Sequence, residues 1–240
     1  MINTKVKIYM LFLIVFFAVR WWILNRDFIP LIDETGINIL NDMASSYSGY
    51  NDIYVHGSAY TMFFLLLLNL LLPNWNAHIL VRTDRVKYFT KLFLYMTLAC
   101  ALFVFIFHSI AVTGMSIAAG VSVLVDWGYY NAVFPMLILT FLYYVLMGAV
   151  FLFFYVVLKT KTKALFAAYF VSVILLGLPY YIKLPWTPLA SLVVVDDMLE
   201  HRFHVATVLL DALKLSLFSM FFYMFSMHIF KGKDILGKDG

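Results

Sequence analysis

Charge is scarce in this chain, and cysteine scarcer still. Asp, Glu, Lys and Arg make up 12% of its 240 residues, about half the share in a soluble domain. The single cysteine, Cys100, excludes an internal disulfide framework and any multi-cysteine metal site. No Gly-rich phosphate loop occurs, so the chain does not hydrolyse a nucleotide by itself. Metalloprotease-type His-Glu spacing is absent, and neither Ser116 nor Ser219 has the glycine-flanked setting of an intramembrane serine nucleophile. Cys100 and His108 are eight residues apart, about 12 Å of helical rise, too far for a thiol–imidazole pair. A small core cysteine and an interfacial histidine are the plainer reading.

Long apolar runs fill the space that charge vacates. AVILMFWYC residues amount to 64% and the mean hydropathy is +0.93. A membrane-spanning helix needs about 20 mostly apolar residues, because no backbone polar group can go unpaired in hydrocarbon. Six segments qualify: 6–24, 57–73, 92–113, 131–158, 164–182 and 206–230. The expected fold is therefore an all-α integral membrane protein with six transmembrane helices in one domain over 1–240. The first segment follows Lys5 and Lys7 but has no small-residue cleavage site, and it runs into Arg20-Trp21-Trp22. It reads as an uncleaved anchor with an aromatic interface belt, not a signal peptide.

Basic residues fix the expected orientation. Twelve of the 17 fall on one side: Lys5 and Lys7, Arg82 to Lys91, Lys159 to Lys163, and Lys231 to Lys238. The other side holds Arg26, Lys183 and Arg202, with most of the acids. Both termini are thus expected in the cytoplasm. On the outer side, 25–56 has helical apolar spacing compatible with a short surface helix, and 114–130 reads as a small-residue loop. Residues 183–205 carry Pro185 and Pro188 around Trp186, the pattern of a segment that dips into the membrane and leaves again.

Few polar groups fall inside the spans. Asp211 and Lys214 are three residues apart on the sixth and are expected to pair. Arg20 can snorkel to the headgroups, and Asn69 can hydrogen-bond between helices. There is no continuous string of acids such as a proton-driven pump uses.

The basic stretch 78–91, "HILVRTDRVKYFTK", lies between spans two and three. As a helix it would align Val81, Arg85, Tyr88 and Phe89 on one stripe, with Arg82 beside it and Lys87 opposite. Arginines with an aromatic edge suit an acidic, partly apolar groove on a soluble partner. A positive-inside loop touching anionic lipid has the same composition. Six spans, inside termini, this basic helix and a Pro-rich outer stretch before span six resemble the ABC-2 type permeases. The short chain is most similar to bacterial permeases that export, or give immunity to, amphipathic peptides. "HILVRTDRVKYFTKLF" looks like their Arg-x-x-Arg coupling segment, carried here by Arg82 and Arg85, with Lys87, Tyr88 and Phe89 completing the docking surface. One departure is that only Met1 to Lys7 precede span one, where the family commonly has an amphipathic elbow helix.

The resemblance implies a permease in a bacterial plasma membrane. It would act with a cytosolic P-loop ATPase, which carries the ATP and magnesium, and with a second permease copy or sister permease. Its cargo would be amphipathic or lipid-like, in keeping with the aromatic and Met-rich stretch Phe221, Phe222, Met224 and Met227. Catalytic residues, a bound cofactor, a metal and a nucleic-acid partner are not expected on this chain. The competing reading is a non-transport scaffold or regulatory subunit whose basic loops bind lipid.

Overall fold

The computed structural model describes residues 4–32, 37–73, 84–182, 186–193, 196–197 and 204–232. Six helices are long and apolar enough to cross a membrane. They are α1 (Thr4–Asn25), α3 (Ile53–Leu71), α4 (Arg85–Ala119), α6 (Tyr129–Leu158), α7 (Lys161–Tyr181) and α8 (Val205–Gly232). Among the described residues there are also two short α-helices, α2 (Ile37–Ala44) and α5 (Val121–Asp126), with single 3-10 turns at Ile29–Leu31 and Ala190–Leu192 and no strand.

Helix α6 is the centre. It is apolar on every side, as a helix enclosed by others must be, and residues 143 to 152 are all buried. Helices α4, α7 and α8 pack along it, α3 joins from the side, and α1 leans on α4 and α3. Gly148 sets the approach of α4, since a Cβ there would fall on Met96 Sδ. Gly114 gives α1 the same closeness, its missing Cβ leaving room for the Trp21 ring. Glycine at such crossings lets apolar helices pack without a hydrophobic force between them. Helix α6 opens after Gly128 and closes at Lys159, both with positive φ, the left-handed turn that ends a helix.

Two boundaries differ from the sequence expectation. The stretch 114–130 is not a loop: α4 continues to Ala119, turns at Gly120 (φ +81°) and resumes as α5. Small residues leave the helix intact, and it stops at Gly120, whose positive φ suits a residue without a Cβ. Residues 85–91 are the opening turns of the 35-residue α4, capped by Asp84 Oδ1 accepting from Val86 N at 2.9 Å. The rest of the expected coupling stretch, 78–83, lies outside the described residues.

The end of the bundle opposite the basic loops is capped. The expected short helix is present as α2, though Ile39, Leu40, Met43 and Ala44 are buried in the core instead of lying on a surface. Tyr50 then plugs into the bundle, stacked on Phe107 at 4.6 Å and 11°. Burial pushes its phenol well above the ordinary tyrosine pKa, so it stays protonated. Residues 186–193 fold inward as well, with Leu189, Ser191 and Leu192 buried. The two segments are tied together: Asp196 Oδ2 accepts from Ser46 N at 3.0 Å, and Ser46 Oγ donates to Leu192 O at 3.1 Å.

Candidate functional site

At the basic end, α4 is fastened to α8. Arg85 Nη1 donates to the Lys231 carbonyl at 3.0 Å, which satisfies a C-terminal carbonyl that α8 leaves open. Phe89 packs on Phe230 (5.5 Å) and Tyr223 (5.7 Å), Tyr88 lies 6.4 Å from Phe230, and the Thr90 and Tyr223 hydroxyls are 3.1 Å apart. Tyr88 and Phe89 are buried, and Lys87 is exposed. The expected docking surface therefore divides: the aromatics of the stripe grip α8, Arg85 bridges, and Lys87, on the opposite side, faces outward. Arg82 lies outside the described residues.

Beside this joint, Lys161 Nζ donates to the carbonyls of Asn69 (2.9 Å) and Leu72 (2.8 Å), closing the C-terminus of α3 from the start of α7. It is the main chain of Asn69, not its amide, that bonds across helices here. Tyr155 Oη donates to the Pro73 carbonyl at 3.1 Å. Among the described residues, the helix ends at the basic side are thus bonded to one another, α4 to α8, α7 to α3 and α6 to the residue after α3.

The expected intramembrane pair forms. Lys214 Nζ donates to Asp211 Oδ1 at 3.0 Å, with side-chain exposures of 32% and 12%. The lysine also stands 5.1 Å from the Trp186 ring, a cation–π contact, and Trp186 stacks on Phe218 at 5.8 Å and 14°. The segment 186–193 is pinned to α8 at this point.

A buried polar cluster in the middle of the bundle was not foreseen. Ile53–Val55 leads into a π-helical turn over His56–Tyr60, a local widening often found at functional sites. His56 Nδ1 is 3.0 Å from Tyr144 Oη, and its Nε2 has no partner among the described residues. The Thr61 hydroxyl donates to the His56 carbonyl (2.6 Å), and the Tyr143 phenol lies 3.1 Å from both Thr61 Oγ1 and Ser172 Oγ. Ser172 Oγ donates to the Gly57 carbonyl at 2.7 Å. Both His56 and His108 flank the Phe107 ring, at 5.0 and 5.1 Å.

Three sequence expectations change here. His108 is not interfacial but buried, with Nε2 unpartnered among the described residues. Arg20 turns inward over Tyr60, 5.3 Å from its ring centroid, instead of reaching for headgroups. His56 belongs to span two and not to an outer loop. Its signal was present in "YVHGSAY", where Tyr60 and then His56, each four residues earlier, continue the buried face of Leu68 and Phe64 backwards past Gly57. Cys100 is the expected core cysteine, its thiol 3.5 Å from Met96 Sδ.

No group of three or more His, Cys, Asp or Glu capable of holding a metal occurs among the described residues. No protein-family model matches the chain, and neither a curated protein nor a solved structure is detectably similar to it.

Proposed function

We propose that this chain is the permease subunit of an ABC-type exporter, seated in a bacterial plasma membrane with its basic end in the cytosol. A separate P-loop ATPase docks beneath 78–91 and carries the ATP and magnesium. A second permease, identical or related, completes the pathway, and the cargo is an amphipathic peptide or lipid-like compound. The observation that carries this reading is the joint between Arg85 and Lys231.

A force applied to the basic loop enters α4 at its first turn. Through Arg85 and the Tyr88–Phe89–Phe230 packing it passes to the last turn of α8 in the same stroke. A loop whose only task was to touch lipid would not need its arginine and both aromatics spent on a second span. Lys87 remains outward as a contact for the ATPase, and Arg82 is assigned there by the Arg-x-x-Arg resemblance alone. Rigid elements joined at one end rock together, as alternating access requires. The apolar, aromatic and methionine-rich faces of α8 suit an oily cargo better than an ion, since Asp211 and Lys214 neutralise each other.

The test is purification from native membranes in mild detergent. A P-loop ATPase should elute with the chain, and the complex should hydrolyse ATP. A chain that elutes alone, with no hydrolysis regained on adding back cytosolic ATPases, overturns the reading in favour of a lipid-binding scaffold.

A further inference from the structure

Helices α7 and α8 both pack along α6 and leave a cleft between them. Leu146, Met147 and Val150 of α6 make its floor, and Val171 and Leu175 of α7 face Phe218 and Phe222 of α8. Trp186 and Pro188 of the segment 186–193 roof it. Its volume is about 330 Å³, within the range of roughly 300–1,000 Å³ that small-molecule sites occupy. Every lining residue is apolar, but the roof is not electrically blank. Trp186 stacks on Phe218 and lies under the Lys214 ammonium, which is itself bonded to Asp211.

We propose that this cleft holds one acyl chain of a zwitterionic phospholipid taken from the bilayer, with its phosphate on Lys214 and its ammonium towards Asp211. The cleft lies between two membrane-spanning helices, so its occupant arrives from hydrocarbon and presents an apolar tail. The head is dictated by charge. Lys214 has three N–H groups, of which Asp211 accepts one, so donors remain for a phosphate oxygen. The pair as a whole is neutral, and its charge complement is a head bearing both signs. A net anion would leave one negative charge uncompensated near hydrocarbon. The bound lipid would hold Trp186 against Phe218 and fix the segment 186–193 on α8. A wider cleft of about 620 Å³ between α1 and α4 has no charged residue in its lining to fix a head. The proposal needs no ATPase and stands or falls apart from the export reading.

The experiment is native mass spectrometry of the detergent-purified chain titrated with phosphatidylethanolamine or phosphatidylglycerol. Two variants alter the site independently: Lys214→Gln removes the head contact, and Val171→Phe fills the cleft without touching a charge. Phe134→Ala, at an exposed α6 position outside the lining, is the control. The expected result is a one-to-one phosphatidylethanolamine adduct that weakens about tenfold or more in Lys214→Gln and in Val171→Phe. The control should leave it unchanged, and phosphatidylglycerol should compete poorly. Equal adducts in all four proteins would mean annular lipid only and overturn the site. Phosphatidylglycerol binding as tightly as phosphatidylethanolamine would overturn the zwitterionic head. Should Lys214→Gln aggregate, Val171→Phe still decides: a full-strength adduct there contradicts occupancy of the cleft.

Discussion

His56 and Tyr144 hold each other in the core of the bundle, imidazole Nδ1 to phenol oxygen at 3.0 Å, with neither side chain reached by solvent. The imidazole lies on the π-helical turn of α3, and the phenol on the most enclosed stretch of α6. Tyr144→Phe deletes only the hydroxyl and leaves a second imidazole nitrogen without a partner. The expected cost is about 1–3 kcal/mol, read as a lower thermal midpoint in detergent. His56→Leu in the same background should cost less than the sum of the two single changes, because one interaction is removed only once.

The Asp211–Lys214 pair gives a sign test of its own. Removing one partner leaves a charge in the membrane, whereas removing both leaves none. Asp211→Leu alone should lower the thermal midpoint more than Asp211→Leu with Lys214→Met. A double variant less stable than the single one would show that the two charges do not neutralise each other.

Gly148 fixes the distance between α4 and α6. Gly148→Val places side-chain atoms where Met96 Sδ sits, in a fully buried contact. Overpacking of this kind costs about 1–3 kcal/mol. Gly148→Val combined with Met96→Ala should recover much of the loss, measured again by thermal unfolding. Failure to recover would place the strain elsewhere.

Lys161 closes the end of α3 with two charge-assisted bonds, to the Asn69 and Leu72 carbonyls. Lys161→Met keeps an unbranched apolar stem, one atom shorter, and removes both. Amide exchange at the C-terminal turn of α3 should accelerate about tenfold or more, on the scale of one lost hydrogen bond to a charged group. Unchanged exchange would mean that the carbonyls find other partners.

The six spans were legible because hydrocarbon imposes one rule on every backbone, and apolar runs of spanning length have no other use. Asp211 and Lys214 were legible because three residues on a helix bring two side chains together. Tyr88 and Phe89 were legible as a stripe with Arg85 but not as an inward one, since spacing names a face without naming what covers it. His56 was missed because Gly57 resembles the end of a span. The π turn carries the helix through it, and the partners that make a buried histidine tolerable, Tyr144 among them, are 88 residues away. That 186–193 would not run straight between two spans was announced by Pro188 and Trp186, and the structure buries Leu189 and Leu192 there. The anchorage of this segment on Ser46 depends on tertiary contacts that no local pattern encodes.

The claim on which the functional account rests is that a nucleotide-hydrolysing subunit sits against the basic end. Lys87 is exposed there, and its side chain can be exchanged for a photoreactive amino acid without disturbing the Arg85, Tyr88 or Phe89 contacts. Illumination of native membranes should link position 87 to a P-loop ATPase, at a yield that changes when ATP or vanadate is added. Linkage to lipid alone, or labelling of position 87 by reagents that reach only the outside of the cell, would contradict the account.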